Sequence, residues 1–180
     1  MTSRKRFGFT LPEVLVTIAI IATLAAVLLP ALTGQISKGD ATRAAEDLKA
    51  VQTAITAFVS DVRRYPGKLE HLTESVSTSD VDALSSTYPE GLVAKWNGPY
   101  LNKQLETNGT LKTTFGAYIQ SSFSDTLVVS STYLAVRFEP ISTGDFAKLD
   151  ALIDDTANSS TGLLRLNSSS TATFFAVPVQ

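Results

Sequence analysis

Three patterns of hydrophobic and polar positions follow one another along the chain. Residues 9–32 form a nearly continuous apolar run of 24 positions, with Glu13 its one charge. As a helix this run rises about 36 Å, enough to cross a hydrocarbon core of about 30 Å. From Asp40 the pattern changes. Ala44, Leu48, Val51, Ile55, Phe58, Val59 and Val62 recur at spacings of three and four, while Arg43, Glu46, Asp47, Lys49, Gln52, Thr53 and Asp61 fill the other faces. One apolar stripe on a water-exposed helix predicts packing beneath a β-sheet. Tyr65-Pro66-Gly67 stops the helix, because proline lacks a donor and glycine favours a turn.

The third pattern is irregular and then strand-like. Leu69 to Leu72 and Asp80 to Ser86 each read as a single helical turn, and Trp96 to Leu101 as a turn flanked by aromatics that cap a loop. Strands are predicted at 115–119, 127–129, 133–138, 163–166 and 172–177. In 133–138 the alternation sets Tyr133, Ala135 and Arg137 on one face and Leu134, Val136 and Phe138 on the other, and Pro140 ends the strand. A short amphipathic helix is predicted over 146–153 with Phe146, Leu149, Leu152 and Ile153 inward, followed by a turn at 158–162. The expected fold class is α+β. A long N-terminal helix, membrane-spanning in its first half, packs its second half on an antiparallel sheet.

Charge sharpens the picture at the N-terminus. Arg4, Lys5 and Arg6 precede the apolar run and place that end in the cytoplasm. Glu13 is costly near a membrane helix unless it lies shallow or has a partner. Cleavage between Gly8 and Phe9 would create an amine at the same end of the helix, and the amine of a neighbouring copy could pair with Glu13. An ordinary secretory signal peptide fits the cations and the apolar core. It does not fit a charge within the run or the lack of a small-residue cut site after Leu29. A plain anchor with an incidental glutamate leaves the offset from Gly8 to Glu13 unexplained.

Gly8, the sequence Phe9-Thr10-Leu11-Pro12-Glu13 and the apolar stretch containing Pro30 resemble the class III signal of type IV pilins and of the pseudopilins of type II secretion. The resemblance implies a prepilin peptidase that cuts after Gly8 and methylates the amine of Phe9, and a Glu13 that sets register during docking into a helical filament. It divides the chain into a cleaved cytoplasmic leader (1–8), a transmembrane and filament-core helix (9–33), an amphipathic second half (34–65) and a globular head (66–180). It implies a pilin fold, self-assembly, an inner-membrane platform with its ATPase, and minor pilins or pseudopilins as partners. The precursor would sit in the inner membrane and the filament in the periplasm or outside the cell. The stretch from Arg64-Tyr65-Pro66 to Gly98-Pro99-Tyr100 is similar to the major pseudopilin, a subunit for protein secretion. A surface pilus for adhesion, motility or DNA uptake is the alternative, and a monomeric membrane-anchored binding module is a third.

Within the long helix, Pro12 lies in the first turn, where a missing N–H costs little. Small residues at Ala19, Ala22, Thr23 and Ala26 allow close helix contact in lipid. Pro30 costs about 3 kcal/mol inside an ordinary helix, and Gly34 and Gly39 about 1 kcal/mol each. Residues 30–39 are therefore the expected break, a segment that bends or melts on entry into a filament, with a static kink at Pro30 as the alternative.

Composition closes several routes. Without the three leader cations, 12 basic side chains face 17 acidic ones, which disfavours nucleic-acid binding. The absence of cysteine removes disulfides, thiolate catalysis and zinc–thiolate sites. The one histidine, His71, lies in a polar stretch expected to be exposed, and no serine sits in a nucleophile elbow. No glycine loop that would cradle phosphates is present. No enzymatic activity and no organic cofactor are expected. Asp150, Asp154, Asp155 and Asn158 cluster by a Ser/Thr/Gly loop and are weak calcium candidates, since oxygen ligands suit that ion. The triplets at Asn108, Asn158 and Asn167 match the N-glycosylation pattern, which chance readily produces in so Ser/Thr-rich a chain.

Overall fold

A computed structural model describes residues 9–128, 131–168 and 170–179. The leader and Val129 lie outside them. The chain divides into two units between Lys38 and Gly39.

Helix α1 runs Leu11–Val62, 52 residues, and its assignment is continuous through Pro30, Gly34 and Gly39. In the first unit the helix is long and apolar enough to cross a membrane: its most apolar window has a mean hydropathy of 2.6, and none of it is buried. Hydroxyls in this segment are satisfied within the helix. Thr17 donates to the Glu13 carbonyl, Thr23 to Ile20 at 2.8 Å and Thr33 to Pro30 at 3.0 Å. Such back-bonding keeps these three hydroxyl donors occupied within the helix, which suits a lipid environment.

In the second unit the apolar stripe of α1 becomes the floor of the core. Ala44, Leu48, Val51, Ile55, Phe58 and Val62 are all buried. They pack with an antiparallel five-stranded sheet of order β1-β2-β3-β5-β4, made of Leu111–Lys112, Tyr118–Val128, Ser131–Glu139, Leu164–Leu166 and Ala172–Val179 in chain order. Leu134, Val136 and Phe138 point inward from β3, as the alternation predicts. A register shift between Leu134 and Ala135 leaves Ala176 unpaired in β5, and its carbonyl accepts from Gln52 Nε2 at 2.6 Å. The bulge is thereby pegged to the helix.

Several boundaries differ from the sequence reading. Phe115 and Gly116 form a turn, with Gly116 at φ 77°, and the strand starts only at Tyr118 and runs on to Val128. The serines of 121–124 hide its continuity from an apolar pattern. Asp80 to Ser86 is no helical turn. Val81 and Thr87 bridge across a loop organised by Asp82, whose Oδ1 accepts from the Leu84 and Ser86 N–H groups at 2.9 and 2.8 Å. Helix α3 spans Thr143–Ile153, starting earlier than expected because the Ser142 hydroxyl caps Asp145 N–H at 3.1 Å. Its inward phase is Phe146, Leu149, Asp150 and Ile153, and Leu152 is 45% exposed. The remaining helical pieces are a 3₁₀ turn at Leu69–Leu72 and α2 at Glu90–Val93. Trp96 and Tyr100 pack edge-to-face 5.6 Å apart beside the core, and Trp96 Nε1 donates to the His71 carbonyl at 3.0 Å.

Candidate functional site

The predicted site residues fall into two groups. The first lies at the start of α1. Phe9 is 84% exposed and precedes the helix by two residues, while Gly8 lies outside the described residues. Glu13 occupies the first turn, where the unpaired N–H groups favour an anion, and its Oε2 accepts from Thr10 N–H at 3.5 Å. No cation among the described residues forms an ion pair with it. The carboxylate is therefore held at the helix end, one turn from Phe9, on an exposed apolar rod.

The second group is the C-terminal carboxylate loop. Asp150 is fully buried, and its Oδ2 accepts from Asn158 N–H at 2.6 Å. Its Oδ1 has no hydrogen-bond partner among the described residues. Burial raises the Asp150 carboxyl above the usual range, and the nearby Asp154 charge pushes the same way. Asp154 is engaged by backbone: its two oxygens accept from Leu163 and Leu164 N–H at 3.0 and 2.9 Å. Asn158 Oδ1 accepts from Ser160 N–H at 3.0 Å, and Asp155 is exposed with a left-handed φ of 59°. Of the four calcium candidates, Asp150 offers a buried oxygen with no donor on it among the described residues, and the exposed Asp155 carboxylate accepts no hydrogen bond from them either. The described residues hold no cluster of three or more acidic or histidine side chains poised for a metal. As arranged, the set ties the loop to α3 through backbone amides. A cation at Asp150 would need oxygens beyond this set.

A polar cluster that sequence reasoning missed surrounds His71. The ring is 3% exposed, in contrast to the expected surface position. Its Nδ1 accepts from Gly67 N–H at 3.2 Å, which assigns the proton of the neutral ring to Nε2. Nε2 lacks a hydrogen bond and faces Asp80 Oδ1 at 3.8 Å. Tyr88 donates to the Tyr65 carbonyl at 2.9 Å, and Arg64 Nη1 pairs with Asp82 Oδ2 at 2.9 Å. This knot fastens the loop after α1 to the helix end. Its sequence signature, Asp82 followed by small and hydroxylated residues, is an Asx-type turn in a stretch of weak periodicity.

An apolar membrane-length helix that opens with a shallow carboxylate, followed by a head built on the same helix and an antiparallel sheet, defines the class of prepilin-type subunits. The family described as the prokaryotic N-terminal methylation motif matches residues 3–29. Type II secretion system core protein G of Klebsiella pneumoniae is 34% identical over 88 residues, 49% of this chain and 63% of that protein. The protein of the same name from Aeromonas hydrophila is 32% identical over 106 residues, covering 56% of this chain and 74% of that protein. A type IV major alpha-pilin of Moraxella bovis is 44% identical over 72 residues, 40% of this chain and 42% of that protein. The chain thus spans less than two thirds of the Klebsiella relative and about three quarters of the Aeromonas one. No solved structure matches it. The chain belongs to the family of type II secretion core protein G.

Proposed function

We propose that the protein is the major-pseudopilin-like structural subunit of a helical filament assembled from the inner membrane for protein secretion. The observation that carries this reading is the exposed apolar helix with Glu13 in its first turn, in no ion pair among the described residues, within the matched N-terminal motif. Peptidase cleavage after Gly8 frees the Phe9 amine, which the same enzyme methylates. The membrane helix stores the subunit until an ATP-driven platform inserts it into the growing filament, where minor subunits complete the assembly. Apolar helix packing supplies affinity, and the amine of one copy against Glu13 of the next supplies register. The segment Pro30 to Gly39 is the part of the rod that yields on insertion. Its work is assembly, and no step calls for catalysis or an organic cofactor.

Cleavage and register are tested separately. Gly8→Ala is expected to leave the leader attached, read by N-terminal sequencing. Glu13→Ala is expected to be processed normally yet yield at least about tenfold less sheared filament, the scale of one lost charge pair. Normal filaments from Glu13→Ala overturn the register role. Loss of enzyme secretion on deletion, without extended surface fibres, separates a secretion filament from a surface pilus, the second reading that the Moraxella likeness favours. Calcium at Asp150 belongs to this proposal too. A thermal melt of the head that does not move with chelator removes it.

A further inference from the structure

The sheet has a second face, turned away from α1, that the filament reading leaves unused. Pairing sets Arg137 of β3 opposite Thr173 of β5, and Thr173 opposite Arg165 of β4. Directly paired residues share a face, so the two arginines flank Thr173 in one row. Ala135, Thr173 and Phe175 on this face are only 4–6% exposed and lie outside the main core cluster. Their cover comes from side chains. Arg165 lies 5.1 Å above the Phe175 ring, Tyr133 meets that ring edge-on, and Asn167 Nδ2 donates to Thr173 Oγ1 at 2.7 Å. Arg165 Nε is further held by the Gly162 carbonyl at 3.2 Å.

Arg137 is different. It is exposed, has no ion pair or hydrogen bond among the described residues, and stands between two concavities. The smaller is about 100 Å³, with Ala135 and Phe175 as apolar floor and Ser124, Thr126 and Asn167 as polar wall. That volume is well below the roughly 300 Å³ of an ordinary small-molecule site and suits a single side-chain carboxylate. A guanidinium over an apolar floor binds a carboxylate in fork geometry better than one in open water. The same chain offers the complement. Glu74 and Glu106 are exposed, have no ion pair among the described residues, and line one concavity of about 430 Å³ beside Glu70 and Lys103.

We propose that Arg137 on the outer face of the sheet receives Glu74 or Glu106 from the head of a second copy of this chain. A contact between two unlike patches is heterologous, and repeated it gives an open chain of subunits. The mature chain is acidic, so its copies repel one another at long range. A specific arginine–glutamate contact would set which head face meets which. This inference rests on the filament reading and adds a contact between heads to it.

The chain lacks cysteine, so introduced pairs report without background. Arg137→Cys would be combined with Glu74→Cys, and separately with Glu106→Cys, in the full-length protein in cells. A third protein carries Val16→Cys and Ile20→Cys in the membrane helix. The expected result is an oxidation-dependent ladder from a head pair as well as from the helix pair. Arg137→Glu should lower sedimentable polymer about tenfold, as loss of one desolvated charge pair does. Adding Glu74→Lys and Glu106→Lys should restore it, which also shows that the variants fold. A ladder from the helix pair with none from either head pair overturns the head contact and leaves the filament standing. Cross-linking that stops at dimers overturns it as well, because a closed pair is not an open chain. No ladder from any pair removes the filament reading and this inference together.

Discussion

At the scale of single residues, two buried groups that face the wrong way electrically make the head sensitive to pH. His71 is neutral in the fold, since burial holds its ring below the ordinary range while Asp80 only partly offsets that effect. The unfolded chain takes up a proton near pH 6.5, before the folded chain does. Stability conferred by the neutral ring is thus complete above that pH and falls as pH drops toward the folded value. Thermal melts of the head should show a lower Tm at pH 5.5 than at pH 7.5, and His71→Gln should flatten that dependence. Asp150 has the opposite sign. Its folded carboxyl is raised, so stability is lost as pH rises from about 4 toward the folded value. Asp150→Asn keeps an oxygen for Asn158 N–H and sheds the charge. It is expected to melt no lower than the parent at pH 7.5, whereas Asp150→Leu, which strands that amide, should melt lower. Neither residue's burial was legible in the sequence. His71 sits among polar neighbours, and an aspartate in place of a leucine on the inner face of α3 goes against the ordinary reading of a stripe.

Secondary-structure elements divide according to how much of their pattern is apolar. The stripe of α1 was legible almost residue by residue, because nothing competes with a period of three and four over so many turns. The same periodicity placed Phe146, Leu149 and Ile153 of α3 correctly and erred at Leu152, with Asp150 inward in its stead. Leu152 is more apolar than Asp150, yet Asp150 faces in because Asn158 N–H waits there for an acceptor. Strand β2 was read as two fragments, since its middle is serine-rich and held by Phe123 N–H donating to the Gly67 carbonyl at 3.0 Å. The apolar rod was fully legible, as it is encoded in consecutive residues. For α1 the energetic expectation is direct. Phe58 is 0% exposed and meets Tyr88 and Tyr100 edge-to-face. Phe58→Ala should cost about 3–5 kcal/mol in urea unfolding of the head. A loss below about 1 kcal/mol would show that the helix is not the floor of the core.

For the molecule as a whole, the division between Lys38 and Gly39 sets what can be detached. A fragment starting at Gly39 retains every buried residue of α1 and should be soluble and cooperative in its melt. One starting at Pro66 loses Leu48, Ile55 and Phe58 and should not fold, read by near-ultraviolet circular dichroism. The order of the strands bears on synthesis. β5 is the last strand in the sequence, yet it lies between β3 and β4 and contributes Ala172, Phe174 and Ala176 to the interior. A ribosome therefore releases the apolar rod long before the strand that closes the sheet. Throughout that interval the slot between β3 and β4 stands vacant, and their apolar side chains wait for a neighbour still to be made.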